Sequence, residues 1–410
     1  MHAMRAGPSD SGASERAVAP RPWREGAPRL AMVAGEASGD VLAAAVLRGL
    51  RAQAPRMVAA GVGGPAMVEQ GLDAWWPAQA LAVNGYADVL REYPRLWRMR
   101  RALGTRLLAD RPGLFVGIDA PDFNLGLAAR LRAAGVRTAQ FVSPSIWAWR
   151  GGRIGGIGRA VDRMLVVFPF EQSLYARAGI DAVYVGHPLA DAIPMQADSG
   201  AARARLGLPA AAPVVALLPG SRSGEVRRLA PGFVDAAAWM LARRPELRFV
   251  LPAAGRAIRA ELDALVGERI AGGALAGRVA LLDGQSHAAL AACDAALVAS
   301  GTATLEAALY RRPMAIAYRL APASHAIMRR LAYLPWIGLP NILCGESIVP
   351  EFVQDAATPE ALGAAVLAQL DDAPGRERLA ARFEALHHEL RRDCARRAAT
   401  ALLELIDAAA

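Results

Sequence analysis

PVVALLPGSR, residues 213–222, is where the fold of this chain can be read. Val214 to Leu218 form an unbroken apolar run that stops at Pro219-Gly220, and Ser221, Arg222 and a helix-period segment follow. A short apolar run of this kind reads as a strand buried on both faces, and strand, turn and helix in succession are half of a βαβ unit. The run follows residues 189–212, a stretch of Pro, Asp, Ser, Gly and Ala with no strong strand. The same pattern therefore runs once before this point and restarts here.

Upstream, RLAMVAGE (29–36), RMVAAGVGG (56–64), GLFVGIDAPDFN (113–124), TAQFVSPSIWAW (138–149), RMLVVFPFE (163–171) and AVYVGHP (182–188) read as strands and the loops they enter. SGDVLAAAVLRGLRAQ (38–53) and ADVLREYPRLWRMRRALGTRLLAD (87–110) read as helices, the second interrupted by Pro94. Downstream, LRFVLPAAG (247–255), VALLDG (279–284), AALVASGT (295–302) and PMAIAYR (313–319) continue the pattern. The fold class is α/β, with two doubly wound, Rossmann-like domains on parallel sheets. The expected division is a disordered tail at 1–29, a first domain at 30–190, a linker at 191–212, a second domain at 213–374 and a helical segment at 375–410. That last segment packs back on the first domain or on a partner. A length of 410 residues at about 150 per domain agrees. Ligands of such sheets sit beyond the carboxyl ends of the strands, so the reacting centre is expected in a cleft between two facing domains.

Composition narrows the chemistry. The chain is 54% hydrophobic and 21% charged, which excludes a disordered solvating protein. The combined Lys and Arg count is 47, and every one is arginine. A Walker A phosphate loop, a Schiff-base enzyme and a protein kinase each need a lysine and are excluded. Cys293, Cys344 and Cys394 are far apart and His-Glu-x-x-His is absent, so neither a disulfide scaffold nor a metal site is expected. A net charge of +9 points to anionic partners. Nucleic acid is not among them, because zinc-finger spacing, heptads and an RNA-binding aromatic signature are all missing. Uncharged runs such as LAYLPWIGLPNILCG (331–345) are too short to span a bilayer core of about 30 Å.

Three loops have the form of anion sites. LLPGSRSGEV (217–226) offers Arg222 for a bidentate grip on phosphate oxygens and Ser221 as a hydroxyl donor. ASGTATLEAAL (299–309) has a strand ending at Ser300-Gly301, where the amides of Thr302 and Ala303 open a helix and meet a diphosphate. Glu306, one turn in, accepts from two ribose hydroxyls or merely complements the helix dipole. Together these loops place a nucleotide-diphosphate site in the second domain. GEASGD (35–40) opens a helix that Ser38 or Asp40 caps, and alone it reads as a tight turn.

The remaining candidates keep two readings each. In GIDAPDFN (117–124), Asp119 at a strand end suits a partly desolvated general base, and Asp122 suits an N-cap after Pro121. Either carboxylate could instead be a cap alone. In PSIWAWRGGR (144–153), Trp147 and Trp149 line a sugar-facing wall with Arg150 toward an anion, or form a core pair with a solvated arginine. His187 in VGHP reads as structural. Residues 90–107 interleave Leu90, Tyr93, Leu96, Trp97, Leu103 and Leu107 with Arg91, Arg95, Arg98, Arg100, Arg101 and Arg106. That suits an anionic membrane surface or an ordinary amphipathic helix. The stretch with His325, Arg329, Arg330, Tyr333 and Trp336 reads first as the ordinary helix.

GEASGD, GIDAPDFN, SPSIWAWR (143–150), VGHP (185–188), LLPGSR, LLDG (281–284), SGTATLE (300–306) and LPN (339–341) occur in this order. As a set they resemble the lipid-A-disaccharide synthases, GT-B glycosyltransferases of Gram-negative bacteria, over residues 29–408. SPSIWAWR and IDAPDFN carry the specificity of the match. The resemblance implies a donor, UDP-2,3-diacylglucosamine, and an acceptor, 2,3-diacylglucosamine 1-phosphate. The implied products are a β-1,6-linked disaccharide 1-phosphate and UDP, with no metal or cofactor. It implies Asp119 as the base at the acceptor 6-hydroxyl. Arg222 and residues 300–303 hold the diphosphate, Glu306 the ribose, and Asn341 lies near the donor phosphates. Ser38 and Asp40 face the cleft on the acceptor side. It also implies the cytoplasmic face of the inner membrane and a homodimer through the C-terminal region. The 29-residue extension has no counterpart in the family pattern. Three alternatives remain: another GT-B transferase using UDP-N-acetylglucosamine on a lipid acceptor, a UDP-N-acetylglucosamine 2-epimerase, and a non-catalytic binding protein.

Overall fold

The structure, a computed structural model, describes residues 29–408 except 36, 82–85, 322–324, 326–329 and 331–332. The tail expected at 1–29 lies, apart from Arg29, outside the described residues. So do Arg329 and the side chains of Ser38, Leu90 and Arg91.

The described residues form two compact units. One comprises 29–146, 152–185 and 393–408, and the other 147–151 and 186–392. The first is built on seven parallel strands: β1 (Arg29–Ala34), β2 (Val58–Gly63), β3 (Asp73–Pro77), β4 (Leu114–Ile118), β5 (Arg137–Phe141), β6 (Arg163–Val166) and β7 (Ala182–Tyr184). Their order is β3-β2-β1-β4-β5-β6-β7. The second holds β8 (Val214–Leu218), β9 (Arg248–Ala253), β10 (Val279–Asp283), β11 (Ala295–Ala299), β12 (Met314–Tyr318) and β13 (Glu351–Val353). These are also parallel, in the order β10-β9-β8-β11-β12-β13. Both sheets wind outward from their first strand and then reverse, so β1/β4 and β8/β11 are the two topological switch points.

The apolar runs explain the strands. β4 and β8 are buried at every residue, as strands with helices on both faces must be. Phe115, Leu127 and Leu131 in the first unit, and Leu217, Phe233 and Phe249 in the second, are almost wholly buried. Each such side chain contributes roughly 1.5–3 kcal/mol.

Three differences from the sequence reading follow from local chemistry. Strands β3 and β13 were not anticipated. They are edge strands, only partly buried, and DAWWP and EFV carry polar residues or proline where a buried run would be apolar. The stretch 191–212, expected as a linker, belongs to the second unit and holds a helix, Ser199–Arg205, capped by Asp198 accepting from the Ala201 amide at 2.8 Å. The C-terminal segment is two helices, Ala373–Leu390 and Cys394–Asp407, broken at Asp393, whose φ of 55° is left-handed.

The last helix lies in the first unit against the helix Ala37–Gln53. Gly49 permits the approach, because a Cβ there would lie 2.2 Å from the Ala395 carbonyl oxygen. Gln53 Nε2 donates to the Arg396 carbonyl at 3.0 Å, and Gln53 Oε1 accepts from Thr400 Oγ1 at 2.9 Å. Arg163 reaches the Ala401 carbonyl at 2.7 Å and Glu404 at 3.2 Å. No helix among the described residues is long and apolar enough to cross a membrane.

Candidate active site

Each switch point is flanked by two of the loops singled out in the sequence. In the first unit, β1 ends at Ala34-Gly35 and β4 at Ile118-Asp119. The Asp119 amide continues the ladder by donating to the Phe141 carbonyl at 3.0 Å. The backbone then turns through two left-handed residues, Asp119 with φ 49° and Ala120 with φ 40°, before Pro121 starts the helix Pro121–Ala133. Two consecutive non-glycine residues in this region are strained, and strain of this sort gathers at functional sites. Asp119 is half-buried.

Glycines bring the first loop up to this elbow. A Cβ on Gly35 would lie 3.0 Å from the Cβ of Ala120, and one on Gly39 would lie 3.8 Å from the Cβ of Asp119. The helix Ala37–Gln53 thus starts beside the carboxylate. Asp40 has a different role from the one expected. Its buried carboxylate accepts from the amides of Gly64, Ala66 and Met67 at 2.8, 3.0 and 3.1 Å. It caps the next helix, Pro65–Glu69, rather than its own, and its oxygens are committed to backbone. Asp122 is likewise no N-cap: it lies inside the first helical turn and pairs with Arg153 at 2.5 Å.

In the second unit, β8 ends in Pro219-Gly220-Ser221-Arg222 and the helix Ser223–Leu241 begins. Gly220 has φ 120°, and a Cβ there would lie 2.7 Å from the Cβ of Glu225. Glu225 holds the turn, with Oε2 accepting from the Ser221 amide at 3.4 Å and Oε1 lying 3.8 Å from Arg222 Nη1. The Arg222 side chain is largely exposed.

β11 ends beside this turn. Ser300 Oγ donates to the Ile337 carbonyl at 2.7 Å, so the hydroxyl braces the loop. Gly301, with φ 149°, precedes the helix Thr302–Leu309, and a Cβ there would meet only open space. Backbone conformation, not crowding, therefore requires glycine at this position. The Thr302 and Ala303 amides are among the first of the helix, which its own carbonyls cannot satisfy. Glu306 lies one turn further. Burial raises the pKa of its carboxyl, and His287 works in the opposite sense. His287 Nδ1 and the Tyr310 hydroxyl are 3.4 Å apart.

Asn341 departs from its expected role. It is fully buried and saturated: Nδ2 donates to the Val349 carbonyl at 2.9 Å and to Glu351 Oε1 at 2.8 Å. Its Oδ1 accepts from the amides of Ile348 and Val349 at 2.8 and 3.0 Å. Glu351 also accepts from the amides of Ile337 and Gly338, so this pair holds the segment that braces Ser300.

The segment Trp147–Gly151 groups with the second unit although it follows β5 of the first. The Tyr333 amide donates to the Ala148 carbonyl at 2.9 Å, and the Gly151 amide donates to the Tyr333 hydroxyl at 3.2 Å. Arg150 stacks over the Trp149 ring at 3.9 Å, while Trp147 is half-buried. His187 is structural, with Nδ1 accepting from the Leu189 amide at 3.2 Å as an N-cap. Burial lowers its pKa to about 4.

Sequence reasoning passed over several residues of these sites: Gln140, His287, Tyr310 and Glu351. Gln140 had a signal, as the lone long polar side chain in the apolar strand run TAQFV. The others are brought in by tertiary contacts that leave no periodic mark.

With this geometry in view, comparison with known proteins is decisive. The family model for Lipid-A-disaccharide synthetase matches residues 30–404. This chain belongs to that family. It is a GT-B glycosyltransferase of lipid A synthesis. The lipid-A-disaccharide synthase of Aromatoleum aromaticum is 52% identical over 381 residues, covering 93% of this chain and 97% of that protein. Among solved structures, the glycosyltransferase of kitacinnamycin has a TM-score of 0.59 at 17% identity, covering 92% of this chain and 99% of that one. The UDP-GlcNAc 2-epimerase of Neisseria meningitidis, solved with UDP-GlcNAc bound, has a TM-score of 0.60 at 11% identity, covering 92% and 98%. These two likenesses are of fold. The family match decides between the transferase and epimerase readings.

Proposed function

We propose that this synthase-family member transfers 2,3-diacylglucosamine from its UDP conjugate to the 6-hydroxyl of 2,3-diacylglucosamine 1-phosphate. The anomeric centre inverts, and the products are the β-1,6 disaccharide 1-phosphate and UDP. A single in-line displacement needs a proton acceptor for the attacking hydroxyl and stabilisation of the departing diphosphate. In this reading Asp119 takes the proton. Arg222 and the amides of Thr302 and Ala303 bear the charge developing on UDP, Ser221 adds a donor, and Glu306 holds the ribose. Trp147 and Arg150 belong to the acceptor side.

The observation that carries the reading is the elbow at Asp119. There, left-handed backbone carries a half-buried aspartate at the carboxyl end of a strand at the switch point. The substrates are lipids, and the helix Tyr86–Asp110 has a face suited to their source. Trp97 and Tyr93 are exposed, and Arg101 stacks on Trp97 at 5.4 Å. We place this face on the anionic cytoplasmic surface of the inner membrane, with a homodimer as the working assembly. Arg95 is not part of it, because its guanidinium donates to the Ala80 carbonyl at 2.8 Å.

Mass spectrometry of the products from the two diacyl substrates, without divalent metal, tests the reaction. The expected result is the disaccharide 1-phosphate with UDP in equal amount. Conversion of a single sugar nucleotide incubated alone, with no joined product, would refute it.

A further inference from the structure

Below the Asp119 elbow, two amide side chains are wholly buried, Asn124 and Gln140. They come from different elements, the helix Pro121–Ala133 and β5, yet they converge on one atom. Asn124 Nδ2 donates to the Asp119 carbonyl oxygen at 2.9 Å, and Gln140 Nε2 donates to the same oxygen at 2.9 Å. Asn124 Nδ2 also lies 3.3 Å from the carbonyls of Val33 and Ile118, near the carboxyl ends of the two switch-point strands. Since the shared atom is an acceptor, both amides must turn their nitrogens toward it. Their own oxygens, Asn124 Oδ1 and Gln140 Oε1, are then left buried with no partner among the described residues.

That arrangement is costly, because an unsatisfied buried acceptor loses its solvation without return. The sequence also clears room for the two amides. Gly117 faces Gln140 across the β4–β5 register, and a Cβ there would lie 2.3 Å from Gln140 Oε1 and 2.8 Å from the Cβ of Asn124. Two amides, with a glycine that makes room for them, thus share one carbonyl as their shortest partner, and that carbonyl belongs to the first of two left-handed residues; Gln140 Nε2 also donates to the Phe141 carbonyl at 3.4 Å. With that peptide plane held by two donors, rotation about the Asp119 Cα–C bond, which would turn Cβ relative to the plane, is opposed.

We propose that Asn124 and Gln140 are positioning residues for the transfer reaction: their paired donation to the Asp119 carbonyl locks the left-handed elbow and so fixes the direction of the carboxylate. The inference rests on the reading of Asp119 as the base. It differs from a packing role in what it controls, namely the rate of the chemical step rather than donor binding or global stability.

The test uses the full chain and steady-state kinetics with both diacyl substrates, beside UDP titration and thermal melting. Gln140→Met and Asn124→Leu keep volume and remove the donors. Each is expected to lower kcat about 10- to 100-fold, as a misdirected reacting group does. Donor KM and UDP affinity should stay within roughly twofold, the pattern of an interaction needed only in the transition state. Leu131→Ala, a cavity in the same core away from the elbow, supplies the comparison. It should lower the melting temperature while leaving kcat near wild type. The proposal is overturned if kcat of Gln140→Met stays within about twofold of wild type, or if Leu131→Ala at an equal loss of melting temperature lowers kcat as much. Should Gln140→Met not fold, Asn124→Leu and Gln140→Glu are read by the same criteria. Asp119→Asn separates the two layers. If it turns over at the wild-type rate, the base assignment fails and this inference with it. If it is inactive while the amide variants are not impaired, only the positioning role fails.

Discussion

At the scale of single residues, polar side chains in this chain divide by whether their hydrogen-bonding capacity is already used. Asn341 is buried with all its donors and acceptors used by Val349, Ile348 and Glu351, and the buried Asp40 carboxylate is held by three backbone amides, so both shape loops. The Arg222 guanidinium is largely exposed, with Glu225 at 3.8 Å. His187 shows the same logic in protonation. Burial takes its pKa down to about 4, against 6.5 for a free histidine. As pH falls from 6.5, the unfolded chain takes up a proton that the folded chain refuses until about pH 4, so folding stability declines across that window and levels off below it. The full loss is about 3 kcal/mol. Chemical denaturation of wild type and His187→Asn, which keeps an acceptor for the Leu189 amide, should show the steeper decline between pH 6.5 and 4 in wild type. Equal slopes would contradict this account.

At the scale of elements, most strands were legible because burial on both faces demands an unbroken apolar run, and β1, β4, β8 and β11 have one. β3 and β13 were not: they are edge strands, which need no such run, and unlike the edge strands β7 and β10 their segments DAWWP and EFV open on an acidic residue, and β3 ends on a proline. The candidate loops were legible for a related reason: a buried strand that stops at glycine or aspartate marks its own carboxyl end. What the letters could not disclose is which side chains the loops consume. Asp40 and Asn341 read as ligand residues until their partners are in place: the Gly64, Ala66 and Met67 amides for Asp40, and Ile348, Val349 and Glu351 for Asn341. The C-terminal helix makes a separate prediction. Because a Cβ on Gly49 would collide with the Ala395 carbonyl, Gly49→Leu should force the helix Cys394–Asp407 away and destabilise the protein by about 1–3 kcal/mol. A melting temperature equal to wild type would show that the helix gives way freely. The arginine-bearing helix Tyr86–Asp110 makes another. Neutralising Arg98 and Arg101 together with Trp97→Ala should reduce binding to anionic vesicles while UDP affinity is retained. Replacing Arg95 should act on stability instead, since that guanidinium braces Ala80. Unchanged vesicle binding would remove the membrane assignment from this helix.

At the scale of the whole molecule, the chain repeats one winding twice and equips the two switch points differently. The β1/β4 point carries a carboxylate on strained backbone, and the β8/β11 point carries a turn with an arginine and a helix start behind glycine. Family membership supplies the reaction class, and in the proposed mechanism the two switch points divide the labour in a way that the fold alone does not require, since a similar fold occurs at 11% identity in a UDP-GlcNAc 2-epimerase. The most direct test is a crystal structure with UDP. The account predicts the diphosphate against Arg222 and the amides of Thr302 and Ala303, with the ribose hydroxyls on Glu306 and the Asp119 carboxylate clear of the nucleotide. UDP bound instead at the β1/β4 loops, beside Gly35 and Asp119, would contradict it.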